Sequence, residues 1–279
     1  MALTEPPAVA ELTEPPAVAE PTALPAASRG ARLLAVLALA PALRLAVIRH
    51  AVPPGVPTRT GCDACGAPIG LARPWPALGP AARCGRCRAR VGPPPGTVEL
   101  AVAVALGALV LLGLPADPRG GASLGGQPAV LLAAAWWLGW AIPLVFVDVA
   151  VHRLPDRLTW PAAAGTWLLL GLAALAGAGP APWLYATAAG IALALFFATT
   201  TLLLGRRGFG LGDAKLALGV GALLGWHGWA VPVAGLVFAL MLSGLVGVAL
   251  LATRRVGWRS HLPFGPFLVL GTLTALLLP

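Results

Sequence analysis

Asp148 and Asp213 are carboxylates at the edges of long apolar runs. Asp148 closes the run 129–147, and Asp213 opens the one that follows Phe-Gly-Leu-Gly at 209–212. The chain has only ten acidic residues; four lie in the N-terminal tail, and only Asp148, Asp156 and Asp213 follow Asp117. A carboxylate at bilayer depth costs roughly 2.5–3.5 kcal/mol on insertion scales, so two at segment edges call for a reason. Two carboxylates held close share a proton. One can then act as base on a water while the other acts as acid toward a carbonyl or leaving amine. That is aspartic-protease chemistry, and it needs no metal.

The neighbours fit that reading. Gly208, Gly210 and Gly212 let the backbone approach a substrate strand closely. Leu154-Pro155-Asp156 reads as a turn, because the residue before proline is pushed out of helix. Asp156 is expected to cap the next helix or to pair with a nearby arginine.

Metal chemistry is the second candidate. All four cysteines lie in one loop, as Cys62-Asp-Ala-Cys65 and Cys84-Gly-Arg-Cys87, with eighteen residues between the pairs. Two such knuckles can close a tetrahedron of thiolates around one zinc ion. Four cysteine ligands leave no open position, so the site would be structural and would hold a Pro- and Gly-rich loop of about 45 residues together. The competing reading is a pair of disulfides or free thiols; the loop is expected in the cytoplasm, where thiols stay reduced, which argues against it.

The elements that must position these groups are membrane helices. The 279 residues are 58% hydrophobic and 10% charged, against about 25% charged in soluble domains. Spans of roughly 17–20 apolar residues are read at 31–49, 98–114, 129–150, 160–178, 183–204, 213–226, 229–252 and 264–279; the sixth is short. The fold expected is an all-α polytopic membrane protein of about eight transmembrane helices with a small cytoplasmic zinc-binding loop domain.

The net charge is +9, and alternate loops hold nearly all of it. Arginines cluster in the cysteine loop, at Arg153 and Arg157, at Arg206 and Arg207 with Lys215, and at Arg254, Arg255 and Arg259. The positive-inside rule places these loops in the cytoplasm and both termini outside, although Arg29 and Arg32 oppose it. The basic charge therefore reports topology, and nucleic acid is not an expected partner.

Residues 3–11 and 12–20 are an identical repeat, Leu-Thr-Glu-Pro-Pro-Ala-Val-Ala-Glu. It reads as an extended tail (1–29) with no apolar core of a cleavable signal. Most tryptophans sit near segment ends, as an interfacial belt does. The four histidines show no metal-site spacing, and His152 is expected to be solvated. Arg44, inside an apolar run, is expected to snorkel to the inner face.

The flanking motifs carry a resemblance. Val147-Asp148, followed by Leu154-Pro155-Asp156-Arg157-Leu158-Thr159, resembles the first motif of the type IV prepilin peptidases. Gly210-Leu211-Gly212-Asp213-Ala214-Lys215-Leu216 resembles their GxGD motif, also seen in presenilin-like proteases. Leu262-Pro263-Phe264-Gly265-Pro266-Phe267 looks like the closing segment. The double CxxC loop and Val98-Glu99-Leu100 resemble the N-terminal half of the bifunctional members. The likeness spans roughly residues 40–270. It departs from the family pattern at 40–53, where the Gly-Ser start is missing and Arg44 stands about where an asparagine would, and at 92–97.

The resemblance implies roles. Asp148 and Asp213 would be the catalytic pair; Asp156, Gly210, Gly212 and Lys215 would support it; Cys62, Cys65, Cys84 and Cys87 would bind zinc. The family cuts a basic leader from prepilins or pseudopilins, and bifunctional members then methylate the new N-terminus from S-adenosylmethionine. No Gly-rich dinucleotide-type loop marks that cofactor independently. The implied organisation is a tail (1–29), two helices with the cysteine loop (30–128), and a six-helix peptidase domain (129–279). The implied location is the bacterial inner membrane, multi-pass, with the active site facing the cytoplasm. Two other readings compete: a transporter relaying protons through its aspartates, and an inactive zinc-bearing scaffold. A transporter would carry acids at segment midpoints and show internal symmetry.

Overall fold

Apolar runs of helical length become helices here. In chain order these are α1 (Ala40–His50), α2 (Thr97–Gly113), α3 (Pro128–Val151), α4 (Asp156–Ala173), α5 (Pro180–Leu204), α6 (Leu211–Gly225), α7 (Ala230–Ala252) and α8 (Gly265–Leu277). A π-helical turn, Ala174–Ala178, extends α4. The computed structural model describes residues 34, 38–53, 55–72, 74–113, 128–205, 209–255, 257 and 262–277. The N-terminal repeat, Gly208, Arg206, Arg207, Arg259 and Asp117 lie outside the described residues. Among those described there is no extended strand, only two isolated β-bridges in the cysteine loop.

Four helices are long and apolar enough to cross a membrane: α3, α4 with its extension, α5 and α7. Helices α2 and α8 are apolar but shorter. The short sixth segment has a physical explanation. Helix α6 has 15 residues, of which 11 are buried, and at 1.5 Å per residue it rises about 22 Å. It is packed within the bundle against α4, α5, α7 and α8. A helix screened from lipid need not match the bilayer's thickness, because protein surrounds its ends.

Small residues bring α5 and α6 into backbone contact. A Cβ at Gly221 would lie 2.6 Å from the Ala189 carbonyl oxygen, and one at Gly190 would lie 2.9 Å from that of Leu218. Helices in lipid gain from such close approach because the hydrophobic effect cannot drive them together. Helices α7 and α8 meet the same way, at Gly235 and Gly271.

Helices α1 and α2 share the main apolar core with the other six, through Ala40, Val47, Val98 and Val102. Helix α1 also presents Leu45 and Ile48 to a second, smaller core made by the cysteine loop, with Ile69, Leu78 and Val91. Between α1 and α2 lies a correction to the sequence reading. Arg44 does not snorkel. It is fully buried, donates to Glu99 Oε2 at 2.7 Å and to the Pro93 carbonyl at 3.1 Å, and its Nε has no partner among the described residues. Glu99, 55 positions along the chain, supplies the counter-charge that a single-segment reading could not see. Trp137 likewise leaves the interfacial belt: it is wholly buried against α6, where a Cβ at Gly219 would lie 3.0 Å from its ring.

Candidate functional site

Asp148 lies in the last turn of α3, where the negative end of the helix dipole opposes a carboxylate. The counterweight is α8. The backbone N–H of Gly265, its first residue, donates to Asp148 Oδ2 at 2.9 Å in a buried bond. The approach depends on glycine, since a Cβ at Gly265 would fall 2.7 Å from that same oxygen. Asp148 is thus held on the positive end of a helix 117 positions away.

Asp213 uses its own helix. It is the third residue of α6, and Gly210 is the N-cap. The Gly210 N–H donates to Asp213 Oδ2 at 2.9 Å, and the Asp213 N–H donates to the Gly210 carbonyl at 2.9 Å. This reciprocal pair satisfies orphan groups of the helix start. Gly212 serves packing: a Cβ there would meet Leu154 Cβ at 2.9 Å. The α3–α4 turn that carries Leu154 is therefore seated directly on the start of α6.

Both carboxylates are buried, at 5% and 8% exposure, yet both line one cavity of about 1090 Å³. Its wall includes His152, Thr201, Phe209, Ser243, Leu262 and Phe264. A second, polar cavity of about 350 Å³ reaches the same pair from the side of Arg153, Asp156 and Lys215. The pair therefore stands between a large cleft with aromatic walls and a smaller charged one. His152, solvent-exposed as expected, lies at the mouth of both.

Asp156 does not cap α4. Pro155 holds the cap position and makes no side-chain cap bond, while Asp156 is the first residue of the helix. Its carboxylate instead accepts from Lys215 Nζ on α6. This ion pair ties the α3–α4 turn to the helix that carries Asp213. Sequence spacing could not show it, because 59 positions separate the partners.

The four cysteines converge. None is in a disulfide, and the four sulfurs all lie within 4.8 Å of one another. Cys62 Sγ is 3.7 Å from Cys87 Sγ, and Cys65 Sγ is 3.7 Å from Cys84 Sγ. A tetrahedron with Zn–S bonds of about 2.3 Å requires S···S separations of about 3.8 Å, so the donor set fits a zinc ion. The backbone N–H groups of Cys87 and Arg86 hold the Cys84 thiol down to about 6. At Cys87 the Ala89 backbone pulls the same way, but the Cys65 sulfur, burial and the Cys62 and Cys84 sulfurs push it up to about 12. Four clustered thiolates need a cation to coexist.

The two knuckles repeat one backbone arrangement. Cys62 N–H to Ala67 O is matched by Cys84 N–H to Ala89 O, and Gly66 N–H to Cys62 O by Arg88 N–H to Cys84 O. The bridges Gly61–Pro68 and Arg83–Arg90 correspond in the same register. The sequence repeats in the same register: Cys62, Cys65, Ala67 and Gly70 match Cys84, Cys87, Ala89 and Gly92, with Ile69 opposite Val91.

The model of the type IV leader peptidase family matches residues 132–252. The chain is 31% identical over 222 residues to a prepilin leader peptidase/N-methyltransferase of Aeromonas hydrophila, covering 78% of this chain and 71% of the relative. It is 32% identical over 221 residues to a protein of the same name from Pseudomonas putida, covering 77% and 70%. The chain belongs to the type IV leader peptidase family. No solved structure matches it significantly. The family match contains Asp148, Asp156 and Asp213 but ends before Gly265, whose N–H holds Asp148. With its long apolar helices and these relatives, the chain is an integral membrane protein.

Proposed function

We propose that the chain is an aspartic endopeptidase that removes the leader of type IV prepilins or pseudopilins, with Asp148 and Asp213 as its catalytic pair. One observation carries this: both buried carboxylates face one cavity large enough for an extended peptide. Each spends one oxygen on a backbone N–H and keeps the other for chemistry. One carboxylate takes a proton from water as the water attacks the scissile carbonyl. The other, protonated, donates its proton to the carbonyl oxygen; as the resulting diol collapses and the C–N bond breaks, the first carboxylate passes the water's proton to the leaving amine and the second recovers its own from the diol hydroxyl. Gly210 supplies the Asp213 donor, Gly212 seats the α3–α4 turn, and the Lys215–Asp156 pair locks that turn to α6.

The same reading sets location and topology. We place the chain in the bacterial inner membrane, with eight spans and the site facing the cytoplasm. The basic loops support this, as does the cysteine loop, which shares a cavity with Arg153, Pro155 and Arg157 at the end that carries the aspartates. Zinc at Cys62, Cys65, Cys84 and Cys87 would hold that loop as a small domain. The division at 128/129 then separates chemistries within one packed bundle.

The relatives' name includes N-methylation, which requires S-adenosylmethionine. The cavity beside α2, about 300 Å³, does not fit it: apart from Thr97 its lining is apolar side chains such as Leu100, Val104 and Phe146. Arg44 and Glu99 nearby are spent on each other. No step through that cofactor follows from these residues. Co-expression with a prepilin tests the proposal, followed by mass spectrometry of the pilin N-terminus. The expected product has lost its leader at one bond; an intact leader would refute the peptidase reading. The same spectrum reads any added methyl group.

A further inference from the structure

Each carboxylate takes its backbone donor from a glycine that follows a phenylalanine. Gly210, donor to Asp213, follows Phe209; Gly265, donor to Asp148, follows Phe264. The Phe209 and Phe264 rings pack on each other with centroids 4.7 Å apart. Both pack on Phe197 of α5, Phe209 at 4.7 Å and edge-on, Phe264 at 5.6 Å. Phe197 is wholly buried. One turn on, the Thr201 hydroxyl lies 2.6 Å from the Phe209 carbonyl and 2.7 Å from that of Phe197, which fixes the Phe209 backbone to α5. Among the described residues no hydrogen bond joins the 209–210 segment to the 264–265 segment. The rings are their direct link.

We propose that Phe197, Phe209 and Phe264 are positioning residues for the pair: the three rings fix the Gly210 and Gly265 N–H groups relative to each other, and with them Asp148 and Asp213. The inference rests on the peptidase reading above for its consequence in catalysis, though not for its geometry. Two loops that join different helix pairs would otherwise move independently. A displacement of about 1 Å between reacting groups can cost on the order of 100-fold in rate. Core packing alone would explain Phe197. It does not explain why Phe209 and Phe264, which line the cavity, pack on each other at a tilt of 59° rather than open it wider.

Two measurements on the full-length protein in detergent or vesicles test this. In the first, Phe197→Leu keeps apolar bulk and removes the ring. Hydrogen–deuterium exchange should then speed up together in peptides covering 209–213 and 262–268. Faster exchange in only one of these, or in neither, would overturn the proposal. In the second, prepilin cleavage is measured for Phe209→Leu and Phe209→Tyr. The leucine variant should lose about tenfold in kcat with KM within threefold, and the tyrosine variant, which keeps the ring, should recover wild-type kcat. A rise in KM at unchanged kcat would mean that the ring meets substrate, and would overturn the positioning role. Phe196→Leu is the control: Phe196 also touches Phe197, at 5.4 Å, but is exposed on the outer face and should leave cleavage within twofold. If wild type cuts no prepilin while both segments loosen together in Phe197→Leu, the peptidase reading fails and the ring coupling stands.

Discussion

Gly265→Ala is the sharpest local perturbation of the site. The new Cβ would lie 2.7 Å from Asp148 Oδ2 and 3.3 Å from its Cγ. Carbon–oxygen contacts ordinarily stay at or beyond about 3.3 Å, so the carboxylate must retreat by about 0.6 Å or more. That movement stretches the 2.9 Å bond from the Gly265 N–H. A hydrogen bond to a charged group contributes about 1.5–3 kcal/mol, which corresponds to about 10- to 160-fold in rate. The expectation is a loss of that size in kcat for prepilin cleavage by purified enzyme, with KM within about threefold. Gly139→Ala on α3, the helix that carries Asp148, has open space around its Cβ and serves as the matched control with unchanged kcat. A Gly265→Ala enzyme that keeps kcat within twofold would refute the argument that α8 holds Asp148.

The Lys215–Asp156 pair is partly exposed, at 33% and 61% of the two side chains, and such pairs contribute little, about 0–1 kcal/mol. Lys215→Ala should therefore lower kcat/KM by less than about tenfold in the same cleavage assay. Purified protein should contain about one zinc per chain by elemental analysis, as a four-thiolate site holds a single ion; Cys62→Ser with Cys84→Ser should remove it, and acidification should release it because thiolates must be deprotonated to bind. Arg44→Ala leaves Glu99 without its buried partner and should destabilise the fold by about 3–5 kcal/mol, read as a lower melting temperature. Arg44→Met with Glu99→Leu should recover most of that loss.

Local patterns in the chain located nearly every helix, because apolar length and loop composition depend on neighbouring residues. The carboxylates, the GxGD segment and the knuckles were legible for the same reason. What escaped were partnerships between distant positions. Arg44 read as a snorkelling cation until Glu99 appeared across the bundle. Asp156 read as a cap until Lys215 reached it from α6. Gly265 carried no signal that it would donate to Asp148, since a glycine before Pro266 at a segment start looks like an ordinary helix entrance. Helix α6 looked too short for a span because length alone cannot say that a helix is enclosed by others.

The central claim is that Asp148 and Asp213 act as one catalytic unit. The direct test is single-turnover cleavage of a purified prepilin by Asp148→Asn, Asp213→Asn and the double variant, each checked for wild-type folding. The account predicts a loss on the order of 1,000-fold for each single variant and no further loss for the double, because groups that act as a unit are not additive. A single variant that cuts the same bond within tenfold of the wild-type rate would contradict it.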